Sequence, residues 1–251
     1  MIHARSVRLA TVIVLGGAAA LATTACGGPM QAGAAVVVQG QRTSDRDVQS
    51  EVASYITMSE ANKLVQPGGT TDQERANTAK AQIGLRVQQA LWQKAADDLG
   101  LTVGPDADAK LTATLVEETR SALGPTFHGS DNEAVALAFA KSQQYHDTLL
   151  SPATVPMFVR QQVLVEAVVS AEAAKLKVSP NLQDPTTGQV LGAGVMRVLT
   201  QADKEIDVKI APRYGAFDLQ QLAVVATTDS WIRPGKAQID NALQQMQQQP
   251  Q

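Results

Sequence analysis

The chain has 251 residues, 44% of them hydrophobic, 4% aromatic and 18% charged, with a formal net charge of −3. That length buries a sizeable core in one domain or two, and the hydrophobic share excludes a disordered composition. Setting aside residues 1–25, which hold Arg5 and Arg8 and no acid, takes 21 basic side chains to 19 against 24 acidic, a balance that argues against nucleic acid as a partner.

Met1 to Ala25 reads as a targeting segment. Arg5 and Arg8 make a basic start, and Leu9 to Ala22 is an apolar run of 14 residues, short of the roughly 20 that a membrane span needs. The single cysteine, Cys26, excludes an internal disulfide framework and a Cys-cluster zinc site. It follows Thr23-Thr24-Ala25 and precedes Gly27-Gly28-Pro29, a junction that resembles a bacterial lipobox, with Thr23 where Leu is usual. Cys26 is therefore the expected lipid attachment site, holding the chain on the outer face of the cell membrane. Ala20-Leu21-Ala22 offers the alternative, an A-x-A site for ordinary secretion. Residues 26–33 form a tether.

Ala34 to Val38 is apolar and β-branched and reads as a strand, followed by a turn at Gln39-Gly40-Gln41. Ser44 sits at an N-cap position, with Asp45 and Asp47 in the first turn of a helix that runs to about Ala61. The strand has no neighbour nearby in sequence, so its expected partner is Val208-Lys209-Ile210. Pro67-Gly68-Gly69 breaks the chain. Thr71 or Asp72 then opens a long helix to about Leu99, with Ile83, Val87, Ala90, Leu91, Ala95 and Leu99 on its core face and Gly100 behind it.

Pro105 starts a helix that buries Leu111, Leu115 and Leu123 and stops at Gly124-Pro125. Ser130 or Asp131 opens a shorter one bearing Val135, Ala138 and Phe139. From about Ala153 to Leu176 a helix carries Val155, Phe158, Val159, Val163, Val165, Val168 and Val169, apolar around more than half its circumference. Lys177 to Gly194, with its prolines and glycines, reads as loop, and Val195 to Ala202 as a short helix. Ile206 to Ile210 alternates as a strand; Ala211 to Asp218 is a bend; Leu222 to Thr227 is a further strand. Residues 219–251 hold that strand and, from Gln238 onward, a Gln-rich tail. The fold class expected is mainly α, a multi-helix module over residues 34–218 with a small β-sheet joining the N- and C-terminal strands.

Catalytic material is sparse. His128 and His146 are single, Asp97-Asp98 and Glu117-Glu118 diverge on their helices, and no nucleophile-elbow, Walker or dinucleotide-binding pattern is present. Trp92 and Trp231 read as packing residues. No catalytic residue, cofactor or metal is expected.

Two terminal segments carry a resemblance, and between them the long helix ending Ala-Asp-Asp-Leu-Gly-Leu-Thr-Val is similar to a segment of the same family. AAVVVQGQRTSDRDVQSEV resembles the opening of the SurA N-terminal domain family, matching at Val36-Val37-Val38, Gly40 and Asp47-Val48 and departing at Gln39 and Thr43. Near the other end, VKIAPRYGAFD is similar to the V-x-V-N-P-R-Y-G-x-W/F-D ending of SurA-like lipoproteins in high-GC Gram-positive bacteria, with Ala211 in place of Asn. The resemblance covers roughly residues 34 to 218. It implies a helical chaperone-like module that cradles unfolded secreted chains and is closed by a terminal sheet. Related foldases insert a parvulin prolyl-isomerase domain before the last strand. The interval from Leu176 to Ile206 has no room for one, so that activity is not carried over. The implied function is a lipid-anchored holdase for unfolded or nascent secreted proteins. Phe139, Met157 and Phe158 are its candidate client-binding residues, provided that the helix from Ala153 to Leu176 exposes its apolar face. The alternative is a cell-envelope scaffold lipoprotein that docks one folded partner. A solute-binding lipoprotein fits poorly, since such folds alternate many strands with helices.

Overall fold

The computed structural model describes residues 32–141 and 149–227. Among them are six α-helices and five short strands, so the protein is mainly helical with a small antiparallel sheet. The sheet holds the two ends of the helical body together. β1 (Ala34–Val38) lies between β2 (Gln41–Ser44) and β3 (Val208–Ile210), antiparallel to both. The expected long-range pairing is present in register, with Val36, Val37 and Val38 opposite Ile210, Lys209 and Val208. All five β1 residues are buried, as a strand with neighbours on both sides and helices against its face requires.

β1 is not a lone strand, however. Gln39 and Gly40 both take positive φ, 50° and 76°, the two-residue geometry that matches strand twist in a tight hairpin. The chain therefore turns straight back, and Gln41–Ser44 pairs with β1. These polar residues form an edge strand with partly exposed side chains, which leaves no apolar alternation for the sequence to reveal.

Helix boundaries follow their capping residues. Ser44 caps α1 (Asp45–Ala61) in a reciprocal box with Asp47, and Thr71 caps α2 (Asp72–Asp98) in the same way with Glu74. Each box satisfies two of the orphan N–H groups at a helix start. α2 ends where Gly100, at φ 67°, donates to Asp97 O and Leu101 donates to Ala96 O, both at 2.9 Å, a Schellman closure. Pro105 opens α3 (Pro105–Leu123), and α4 is Asp131–Lys141. One 3₁₀ turn, Pro152–Thr154, leads into α5 (Val155–Leu176).

α6 spans Gly188–Asp203, twice the expected length and starting inside the expected loop. Gly188 and Gly194 mark close approach. A Cβ on Gly188 would stand 2.3 Å from the Leu182 carbonyl oxygen, and one on Gly194 would stand 3.0 Å from Leu176 Cδ1. Leu191, Val195, Leu199 and Ala202 supply the buried stripe that outweighs the helix cost of glycine. Past a 3₁₀ turn at Pro212–Tyr214, β4 (Ala216–Asp218) pairs with β5 (Ala223–Val225). This hairpin crosses the expected domain end at Asp218. Val224 is buried with α1, α2 and β1, so β5 belongs to the packed body.

α2 is the spine, packing on α1, α5, α6, β1 and β5. Three apolar clusters lie along it. One joins the sheet, α1 and the first half of α2; a second joins the second half of α2 with α5 and α6; the third gathers Val135, Leu137, Leu150, Val155 and Phe158 from α4, α5 and the chain between them.

Candidate functional site

The apolar helix α5 is the natural centre of a client-binding face, and its surroundings decide what it offers. Val155, Phe158, Val159, Val163, Leu164, Val168, Val169 and Ala173 are all buried; Val165 is half-buried. Phe158 is 7% exposed and meets Phe139 edge-on, with ring centroids 4.8 Å apart and planes at 72°. Phe139 and Met157 are half-buried at the border of the same cluster. The three expected client-binding residues thus do come together, but as packing around Phe158 and not as an exposed apolar face. Val190, at 54% exposure, is the exposed large hydrophobic side chain among the described residues.

What covers this sector is α3. Leu111, Leu115, Val116 and Leu123 rest on the Phe158 cluster, yet all four are half-buried, and Thr119 is the one fully buried residue of the helix. The expected full burial of Leu111, Leu115 and Leu123 is corrected accordingly: α3 lies on the outside, with one face open to water. α4 sits deeper, with Ala134 to Leu137 at 0% exposure. An ion-and-amide latch ties α3 down. Arg160 of α5 donates from Nη1 to the Val103 carbonyl at 3.1 Å and faces Asp108 of α3 at 3.4 Å, while its Nη2 reaches Gln93 Oε1 at 3.0 Å.

Two glutamines tie the underside of α5 to its neighbours. Gln82, 1% exposed, donates to the Leu149 carbonyl and accepts from Thr154 at 2.9 Å. This fixes the entrance of α5 against α2. Gln161 donates to Gln88, whose own amide donates to the Leu222 carbonyl, so the β4–β5 connection is tied to both helices.

The segment Ala211-Pro212-Arg213-Tyr214-Gly215 forms a clasp between the chain's ends. Tyr214 donates to Asp45 at the start of α1 and accepts from Gln49 at 3.1 Å; Arg213 pairs with Asp45 at 2.7 Å and stacks over the Tyr214 ring at 4.9 Å. The Tyr214 hydroxyl and then the Arg213 guanidinium hold the Asp45 carboxyl below the usual carboxylate range. Burial, with Asp45 beside it, pushes the Tyr214 phenol up. The arrangement is structural, joining the two segments that the sequence singled out.

Cys26, the tether up to residue 31, His146 and Trp231 lie outside the described residues. His128 and the pairs Asp97-Asp98 and Glu117-Glu118 are exposed. Asp97 accepts from Gln93, and Asp98 from Lys94. Among the described residues no group of three or more His, Cys, Asp or Glu side chains is placed to hold a metal ion, and no helix is long and apolar enough to cross a membrane. Trp92 is buried between α2, α5 and α6.

No protein-family model, no curated protein and no solved structure matches the chain. Sequence reading passes over two side chains that the fold makes prominent, Arg160 and Glu172. Glu172 is completely buried. Its register gives the signal, since it follows Val169 by three residues and Val168 by four and so shares their inward face.

Proposed function

We propose that this chain is a lipid-anchored, extracytoplasmic chaperone module that holds unfolded secreted proteins without catalysis, anchored through Cys26. What supports the reading is the pairing of β1 with β3. It joins the two segments that carry the resemblance, giving a helical body closed by its terminal strands, the arrangement which that resemblance implies. The client surface is then not a standing groove. It is the Phe139–Met157–Phe158 sector, uncovered when α3 lifts. A helix with one fully buried residue and solvent along one side belongs to the low-stability end of a fold, and Arg160 is the latch that holds it down.

The test is light scattering from a chemically unfolded model protein diluted into the chain from Gly27 onward. Near-equimolar suppression of aggregation, strengthened by Arg160→Ala, is the expected result. No suppression by either protein at several-fold excess, with both folded by circular dichroism, removes the holdase reading. One observation favours a second reading: the covered apolar face of α5 suits a scaffold that docks one folded partner through a polar surface. A scaffold would bring down one partner in fixed ratio, a holdase many nascent chains.

A further inference from the structure

Where the ends of α2 and α5 meet the second half of α6, the surface opens into a cleft of about 540 Å³. Its floor is a buried carboxylate. Glu172 is 0% exposed; its Oε1 takes a bond from Lys175 at 3.1 Å, but its Oε2 has no hydrogen-bond partner. A buried carboxylate oxygen left unpaired is costly, typically by more than an unpaired neutral group. Such a group in a folded protein asks for a donor. Asp98 adds a second carboxylate to the wall, and the final carbonyls of α2 and α5 give this corner further negative character. The rim has the opposite sign, with exposed Arg197 on α6 and Lys204 just past its end. Between floor and rim lie Leu99 and Val198, half-buried and apolar.

Gly194 sets the spacing. The point that its missing Cβ would occupy is 3.3 Å from Glu172 Oε2 and 3.9 Å from Arg197 Nη2. Glu172 Oε2 and Arg197 Nη2 thus lie near one point that is tighter than an ordinary methyl contact, and they form no ion pair with each other. We propose that this cleft binds a free α-amino acid, its ammonium group seated on Glu172 Oε2, its carboxylate on Arg197 with Lys204 alongside, and its side chain against Leu99 and Val198. One ligand end answers the buried acceptor and the other answers the rim, within the reach of a two-carbon backbone. A plain anion leaves Glu172 unpaired, and a plain amine leaves the rim cations unused. Leu176 Cδ1 stands 3.0 Å from the same point, so the ammonium reaches its seat as Leu176 turns aside. This inference concerns a different face from the α3–α5 sector and does not depend on chaperone activity.

The experiment is calorimetric titration of the full-length chain in mild detergent with leucine, N-acetylleucine and leucinamide. Leucine should bind saturably, and the two analogues, each lacking one charged end, at least about tenfold more weakly. Glu172→Gln should abolish the preference for leucine over N-acetylleucine. Arg197→Gln, at an exposed position that folding tolerates, should abolish the preference over leucinamide, and Leu176→Ala should tighten leucine. Equal binding of all three ligands, or no heat from leucine at millimolar concentration with the protein folded, overturns the proposal.

Discussion

Truncation of Phe158 to alanine separates a packing role from an exposed client-binding role. The ring is 7% exposed and sits among Val135, Leu137, Val155 and Val159, with Phe139 edge-on at 4.8 Å. Removing a buried phenylalanine costs about 3–5 kcal/mol, counting the lost transfer energy and the cavity left behind. The edge-on aromatic contact accounts for roughly 1 kcal/mol of that. Taking about 4 kcal/mol, and about 2–4 °C per kcal/mol for a protein of this size, Phe158→Ala should lower Tm by roughly 8–16 °C. Thermal unfolding followed by far-ultraviolet circular dichroism reads this directly. Met157→Ala, at a half-buried position, should lower Tm no more than half as far. A Phe139→Ala/Phe158→Ala double-mutant cycle should return a coupling of about 1 kcal/mol. A fall of less than about 2 °C for Phe158→Ala would mean that the ring is not held in the core, and the covered-face account of α5 would be wrong.

Three other outcomes follow from the geometry. Ser44→Ala removes the acceptor that caps α1 and should cost about 1 kcal/mol in urea unfolding, as should Thr71→Ala at the start of α2. Asp45 has a depressed folded-state pKa, so its stabilising effect is present above the ordinary value of 3.8 and fades as the pH falls through the folded value. Wild type and Tyr214→Phe should therefore differ most near neutrality and draw together in acid; a gap independent of pH between 7 and 2.5 (roughly the span that urea titration covers) would refute the clasp. Gly215→Ala should unfold the β4–β5 hairpin, because at φ 105° its Cβ would lie 1.9 Å from the Val225 carbonyl oxygen. Gly40→Ala, at φ 76° with open space around it, should cost only about 1–2 kcal/mol. Comparable losses at the two glycines would show that backbone conformation, not collision, governs both.

Much of the architecture can be read from local chemistry. Thr71, Gly100, Pro105 and Gly124 punctuate α2 and α3 because capping and chain reversal depend on the nearest few side chains. The β1–β3 pairing is legible because β-branched segments stand at the two ends of an otherwise helical sequence. β2 was hidden, since an edge strand with no buried side chain needs no apolar alternation, and α6 was hidden because Gly188 and Gly194 obey tertiary contact before helix propensity. The candidate site was half legible. Spacing revealed the width of the apolar face on α5, but nothing in α5 itself tells that leucines from α3, over thirty positions earlier, lie across it. Glu172 escaped notice for the same reason: a glutamate in an Ala-rich helix reads as solvated until a second helix is laid over it.

The sheet's topology also sets the order in which the protein can be completed. Val38 and Val208 are paired across 170 residues of chain. At a synthesis rate of about 5–20 residues per second, β1 waits roughly 10–30 s for its second neighbour to exist. During that interval it has only β2, and an isolated two-stranded hairpin is marginal in water. Five consecutive apolar residues, all buried in the finished fold, therefore spend that interval with an open edge. The ring closure that follows is a long-range, late and slow event. A protein shaped this way is itself a demanding passenger for the folding machinery of its compartment, and truncation anywhere before Val208 leaves the first strand it made without the second of its two neighbours.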